Sequence, residues 1–289
     1  MTEFKAQYQK YLDLIEDHIA AFIARPVVKG GTATLLEAMK YSLLNGGKRI
    51  RPVLTLAVSD IFGVPREKAL PFACAIEMIH ASSLIHDDLP ALDNDDLRRG
   101  KPSNHKVYGE AMAVIGGDAL MNYAYEVMLS AVKDAADLNA ARYIARCAGI
   151  NGMLGGQAID IVGTDSPDEA FLYELDRHKT AMLIKASVMT GELLSGGSAY
   201  SFSDFAEKLG LLFQFTDDVL DVIGTENEMG KTIGKDAAEN KITAVSVFGI
   251  SGAMAKVSEY EKDCLNFLKE VEGSEFLQEL VEFVAKRRR

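Results

Sequence analysis

The chain has 289 residues, with 31 Lys+Arg against 42 Asp+Glu, a formal charge of −11. Hydrophobic residues make up 48%, enough for a sizeable core, which excludes a disordered chain. The acidic balance argues against coating nucleic acid, because a phosphate backbone needs a basic face. An anionic ligand must therefore be met by a local basic cluster or through metal ions.

Apolar residues recur at helical spacing along the whole chain. Phe4, Tyr8, Tyr11, Leu12, Ile15, Ile19 and Phe22 form one stripe of a helix over 4–24. Leu35, Leu36, Met39, Leu43 and Leu44 mark a second over 32–45, closed by Asn45-Gly46-Gly47. Further helices are predicted over 51–62, 67–89, 108–132, 137–154, 168–194, 203–223, 236–249, 253–271 and 274–286. Those over 67–89 and 203–223 are apolar on most faces and should be buried. Period-two alternation is nowhere sustained, so no sheet is expected. No repeat, linker or break in composition divides the chain. The expectation is one all-α domain over 1–289, a helical bundle with a central cavity.

Cys74, Cys147 and Cys264 are widely separated and odd in number, which is neither a disulfide framework nor a CxxC metal site. A reducing cytoplasm is the natural setting. The N-terminal segment carries charges throughout, unlike a signal peptide, and no uninterrupted apolar run is long enough to span a bilayer.

Two acidic clusters stand out. The first, His86-Asp87-Asp88-Leu89-Pro90-Ala91-Leu92-Asp93-Asn94-Asp95-Asp96, extends a helix that should be buried. Crowded carboxylates there call for hard cations such as Mg²⁺. Asp87 and Asp93 are six residues apart, roughly 240° around an ideal helix, and Pro90 opposes helix continuation. A bulge or early unwinding that swings Asp93 back toward Asp87 is expected. The second cluster is Asp217-Asp218-Val219-Leu220-Asp221, with Asp217 and Asp221 on one helical face. Either cluster alone is most simply a solvated face. Two together, each embedded in apolar sequence, point to opposed carboxylates holding several cations and a diphosphate.

Basic counterparts accompany them. Lys48 and Arg51 lie at a helix start, where free backbone N–H groups add to the attraction for an anion. Arg98 and Arg99 follow the first acidic run and suit bidentate phosphate binding. Lys179 enters an apolar stretch, so it either snorkels or aims at a site. Lys231 and Lys235 sit in a Gly- and Lys-rich loop that lacks the spacing of a P-loop. His80 lies seven residues before Asp87, on nearly the same helical face.

Taken in order, GGKRIRP, EMIHASSLIHDDLPALDNDDLRRGKPSNHKVYGEAMAVIGGDAL, GGQAIDI, HKTAMLIKAS, FQFTDDVLDV and GKTIGKDAAENK closely resemble the trans-prenyl diphosphate synthases. The resemblance is to the farnesyl and geranylgeranyl diphosphate synthases of the bacterial and plastid type, and it runs nearly the whole chain. It implies an all-helical, commonly homodimeric enzyme. Such an enzyme condenses isopentenyl diphosphate with allylic diphosphates to give C15 or C20 products.

On that resemblance Asp87, Asp88, Asp93, Asp217, Asp218 and Asp221 bind three Mg²⁺ ions, and Arg98, Lys231 and Lys235 meet the allylic diphosphate. Lys48, Arg51, His80 and Arg99 hold isopentenyl diphosphate, and Lys179, Thr180 and Gln214 line the reacting centre. Chain length should be set one helical turn, about 5.4 Å, below Asp87. Ideal geometry points to Ser83, and the family's position corresponds to Ser82. Both are small, which leans toward a pocket open past C15. Ile79, Met121 or Tyr125 is then the candidate for a deeper floor. Two rivals are weaker. A terpene cyclase needs no second diphosphate site, and a non-catalytic subunit of a heteromeric synthase typically loses one acidic motif.

Overall fold

The computed structural model describes residues 3–24, 30–165, 167–197, 201–223 and 241–286. Lys231, Lys235 and the C-terminal arginines lie outside them. The described chain is a layered helical bundle built around α4 (Arg66–Asp87). Helices α1 (Glu3–Ile23), α2 (Gly31–Leu43), α3 (Ile50–Ile61) and α6 (Glu110–Ser130) pack against it, α6 most extensively. Helices α7 (Ala135–Ala148) and α10 (Met182–Leu194) complete the shell around α3 and α4. On the far side, α11 (Ser203–Ile223) packs between α10 and α12 (Ala244–Lys269), and α13 (Glu275–Lys286) closes against α12.

Helix α4 is long and apolar enough to cross a membrane by length and composition alone, but charged and polar residues interrupt it and 72% of its most apolar stretch is buried inside the bundle, as in a core helix. Its run from Phe72 to Ile79 has no exposed residue, as expected of a helix surrounded by others.

Four departures from the predicted elements matter. Leu97–Arg98 and Lys101–Pro102 pair as a two-residue antiparallel hairpin, too short for period-two patterning to reveal. It leads into a short helix, α5 (Asn104–Tyr108). The segment predicted as 137–154 breaks at Gly149, and α8 (Met153–Val162) runs separately. The segment predicted as 168–194 is divided between α9 (Glu169–Asp176), a π-helical turn (Arg177–Ala181) and α10. The stretches predicted as 236–249 and 253–271 meet in α12, which kinks at Gly249, where φ is 68°.

The π turn is gripped from two sides. A Cβ on Gly156 of α8 would lie 2.1 Å from the Lys179 backbone nitrogen, and one on Gly210 of α11 would lie 2.4 Å from the Ala181 Cβ. Only glycine permits both approaches. The widened turn is thus fixed by packing, as such bulges often are at functional sites.

Candidate active site

Helix α4 stops at Asp87, and the chain folds back on it. Asp93 N–H donates to the Asp87 carbonyl at 2.9 Å, and Asn94 N–H reaches the Leu89 carbonyl at 3.1 Å. Asn94 takes up the reversal with φ 50°. The expected unwinding is therefore present. Asp87 lines a cavity of about 480 Å³ bounded also by Arg98, Lys179, Gln214 and Asp217. Burial pushes the Asp87 carboxyl up to about 6; Lys179 opposes the shift and Asp93 adds to it. Asp93 faces an adjoining polar region with Gln157, Asp160 and Lys241, and Lys241 Nζ is 3.1 Å from its Oδ1.

Of the six aspartates, Asp87 and Asp217 line this cavity and Asp93 the adjoining region, whereas Asp88 and Asp218 are engaged by other partners. Asp88 is only 2% exposed and accepts from Arg98 Nε at 2.9 Å. It thereby aims Arg98, which Asp95 also holds at 3.0 Å. Asp218, 4% exposed, accepts from the Ala244 N–H at 2.7 Å and from Gln214 Nε2 at 2.8 Å. Asp221, one turn on from Asp217, is buried as well. Among the described residues no three carboxylates converge closely enough to form a metal site by themselves. That suits Mg²⁺, which takes one or two carboxylates and completes its shell with water and phosphate oxygens. The inward-facing, partly desolvated Asp87 and Asp217 fit such an ion.

The predicted cationic pocket also assembles. Lys48, Arg51, His80 and Arg99 line a recess of about 270 Å³, and the main cavity shares Arg51, His80, Arg99 and Phe213 with it. Burial and the surrounding Arg51, Arg99 and Arg98 hold the His80 imidazole well below its usual range. It is therefore neutral at pH 7 and available as a hydrogen-bonding group.

The support for this recess was not read from the sequence. Arg49, in the left-handed region with φ 48°, is 2% exposed and pairs with Glu16 and Glu77, each at 2.7 Å. Its Nη2 also donates to the Leu43 carbonyl at 2.6 Å. Glu77 lies 3.9 Å from Arg99, whose Nη1 donates to the Gly46 carbonyl. One buried carboxylate thus ties the loop before α3 to the hairpin arginine. The available signal was a lone Glu within the apolar run of α4.

The π turn presents Lys179 and Thr180 to the main cavity. Lys179 pairs with Asp160 of α8, and Thr180 Oγ1 donates to Gln214 Oε1 at 2.7 Å. Burial and the neighbouring Asp218 push the Asp176 carboxyl well up. Its Oδ2 has no hydrogen-bond partner among the described residues. Lys241, Asp160 and Asp176 were all missed as site residues, although the first two lie in motifs already noted. Below Asp87, Ser83 and Met121 line the cavity, whereas Ser82 is fully buried with its hydroxyl donating to the Ile79 carbonyl at 2.8 Å.

The helical bundle thus brings together inward carboxylates, a cationic recess and a cavity with apolar walls, an arrangement suited to an anionic group joined to an apolar chain. The chain belongs to the polyprenyl synthetase family, whose model matches residues 32–283. It is 43% identical over 269 residues to the farnesyl diphosphate synthase of Geobacillus stearothermophilus, covering 89% of this chain and 90% of that one. It is 46% identical over 222 residues to the chloroplastic geranylgeranyl pyrophosphate synthase of Catharanthus roseus, covering 74% of this chain but only 62% of that one's length. The structure of a Helicobacter pylori geranyltransferase complexed with magnesium and isoprenyl diphosphate superposes with a TM-score of 0.85 at 32% identity, covering 98% of this chain and 97% of that one.

Proposed function

We propose that this chain is a Mg²⁺-dependent trans-prenyltransferase that joins isopentenyl diphosphate to allylic diphosphates, giving farnesyl (C15) or geranylgeranyl (C20) diphosphate. The observation that carries this reading is the juxtaposition in one cavity of Asp87 and Asp217, the Lys48–Arg51–His80–Arg99 recess, and Thr180 with Gln214 between them. The family and the magnesium-bound relative support it.

Asp87, Asp93, Asp217 and Asp221 would hold the ions, three with diphosphate bound, and these would supply charge neutralisation at the leaving group. Arg98, aimed by Asp88, and Lys179 offset negative charge on the departing diphosphate, which lowers the cost of breaking the allylic C–O bond. The lone pairs of Thr180 and Gln214 face the resulting cation without attacking it. The neighbouring recess holds isopentenyl diphosphate so that its double bond meets that cation. Apolar walls keep water out while the new C–C bond forms and a proton leaves. Among the described residues no side chain serves as an obvious base, so the released diphosphate accepts that proton.

The small Ser83 on the cavity wall supports a shaft open past C15, with Met121 as a deeper limit. Exposed Val114, Ile115 and Leu129 on α6 and Leu154 on α8 support a homodimer, and sedimentation giving a monomer mass would remove that part. The decisive assay incubates the protein with Mg²⁺, dimethylallyl diphosphate and excess isopentenyl diphosphate, and separates the dephosphorylated alcohols by length. C15 or C20 alcohol is expected. A folded protein that gives no elongation overturns the proposal.

A further inference from the structure

Asp218 lies outside the cavity, yet it governs the polarity of a group inside it. An ionised carboxylate only accepts hydrogen bonds. Both of its oxygens are taken by N–H donors, Oδ2 by the Ala244 backbone at the start of α12 and Oδ1 by the side chain of Gln214. Gln214 must therefore turn its NH₂ toward Asp218 and its carbonyl oxygen toward Thr180. That oxygen can only accept, so the Thr180 hydroxyl must donate to it, at 2.7 Å. With its one proton committed, Thr180 Oγ1 is left with lone pairs on the side that lines the cavity.

Thr180 differs in this respect from the threonines of the two helices beside it. Thr190 and Thr216, in the flanking helices α10 and α11, donate back to the carbonyl one turn earlier, at 2.6 and 2.7 Å, as helical Thr commonly does. In the π turn the Thr180 hydroxyl is claimed from across the bundle instead, as that of Thr55 is by the Ser187 carbonyl at 3.0 Å.

We propose that Asp218 is a positioning residue that acts through Gln214 to hold the Thr180 hydroxyl with its lone pairs, rather than its proton, toward the carbon where positive charge develops. A dipole fixed in that sense favours the cation, and the reversed dipole opposes it. The proposal rests on the prenyl-transfer reading. Wild-type elongation tests that reading and is measured first, so a dead wild type and an indifferent variant are separate results.

The variant is Asp218→Asn, of the same shape. Its carbonyl can keep the Ala244 N–H, but its NH₂ then faces Gln214 and turns that amide over, so that Thr180 accepts and points its proton into the cavity. The expected result is a fall in kcat on the order of 10- to 100-fold. KM for both diphosphates and the Mg²⁺ concentration at half-maximal rate should stay within about twofold of wild type.

Thr180→Val should fall by a similar factor. The double variant Asp218→Asn/Thr180→Val should be no slower than Thr180→Val alone, because the effect passes through that hydroxyl. Unchanged kcat in Asp218→Asn, multiplied losses in the double variant, or a raised Mg²⁺ requirement would each overturn the proposal; the last would make Asp218 a metal ligand. Should Asp218→Asn not fold, Gln214→Leu breaks the same relay at its next link. An additive loss with Thr180→Val there overturns it equally.

Discussion

Replacing Asp87 by Asn separates stability from activity at one atom. Burial, with Asp93 adding to it, raises the folded-state carboxyl to about 6 from an ordinary 3.8. A shift of roughly two units corresponds to about 3 kcal/mol. Asp87 is not fully enclosed, so solvent screening reduces this to about 1–2 kcal/mol. The sign follows from proton linkage: the folded state holds the proton more tightly than the unfolded one. The stability this contributes is present below the unfolded pKa and lost as pH rises through about 6.

Asn does not titrate. At pH 8 in chelator, Asp87→Asn should therefore melt above wild type by roughly 2–4 °C, taking about 2 °C per kcal/mol for a chain of this size. At pH 4 the two should nearly coincide. With Mg²⁺ and substrates the order should reverse in function, because under the proposed function the carboxylate that costs stability is one that would hold the ion. Several kcal/mol of lost charge stabilisation corresponds to a turnover at least about 10³-fold lower. Thermal unfolding at the two pH values, paired with the elongation assay, reads both effects. Near-wild-type turnover, or the same melting difference at pH 4 and pH 8, would refute the reasoning.

Two further substitutions probe the shaft and the recess. Ser83→Phe puts a ring on the cavity wall next to Met121, so the alcohol products should shift to shorter chains; an unchanged distribution would place the length limit elsewhere. Glu77→Gln removes a charge that Arg49 and Arg99 share. Breaking a buried pair costs about 3–5 kcal/mol, less here because Glu16 still meets Arg49. KM for isopentenyl diphosphate should rise several-fold while that for the allylic substrate holds. Equal rises in both would mean that Glu77 supports the fold and not the recess.

Much of the bundle was legible in the residue pattern, because helix burial imposes a 3.6-residue period that the helices over 3–23, 203–223 and 275–286 follow, while the one over 66–87 was legible as a long stretch apolar on most faces. The break after Asp87 was also legible, since Pro90 and the angular separation of Asp87 and Asp93 are incompatible with a continuing helix. So were the residue types of the site: cations and carboxylates embedded in apolar sequence imply partners for their charge.

Direction was not legible. Asp87 and Asp88 are chemically identical neighbours, and so are Asp217 and Asp218. Which of each pair faces the cavity depends on Arg98 arriving from the hairpin and on Ala244 arriving at the start of α12. The π turn was equally hidden, because it is held by Gly156 and Gly210 from two other helices and not by its own residues. A sequence states which groups are present and their local period. Hydrogen-bond direction, and with it whether Thr180 shows a proton or a lone pair to the cavity, is decided only when distant elements supply the donors and acceptors.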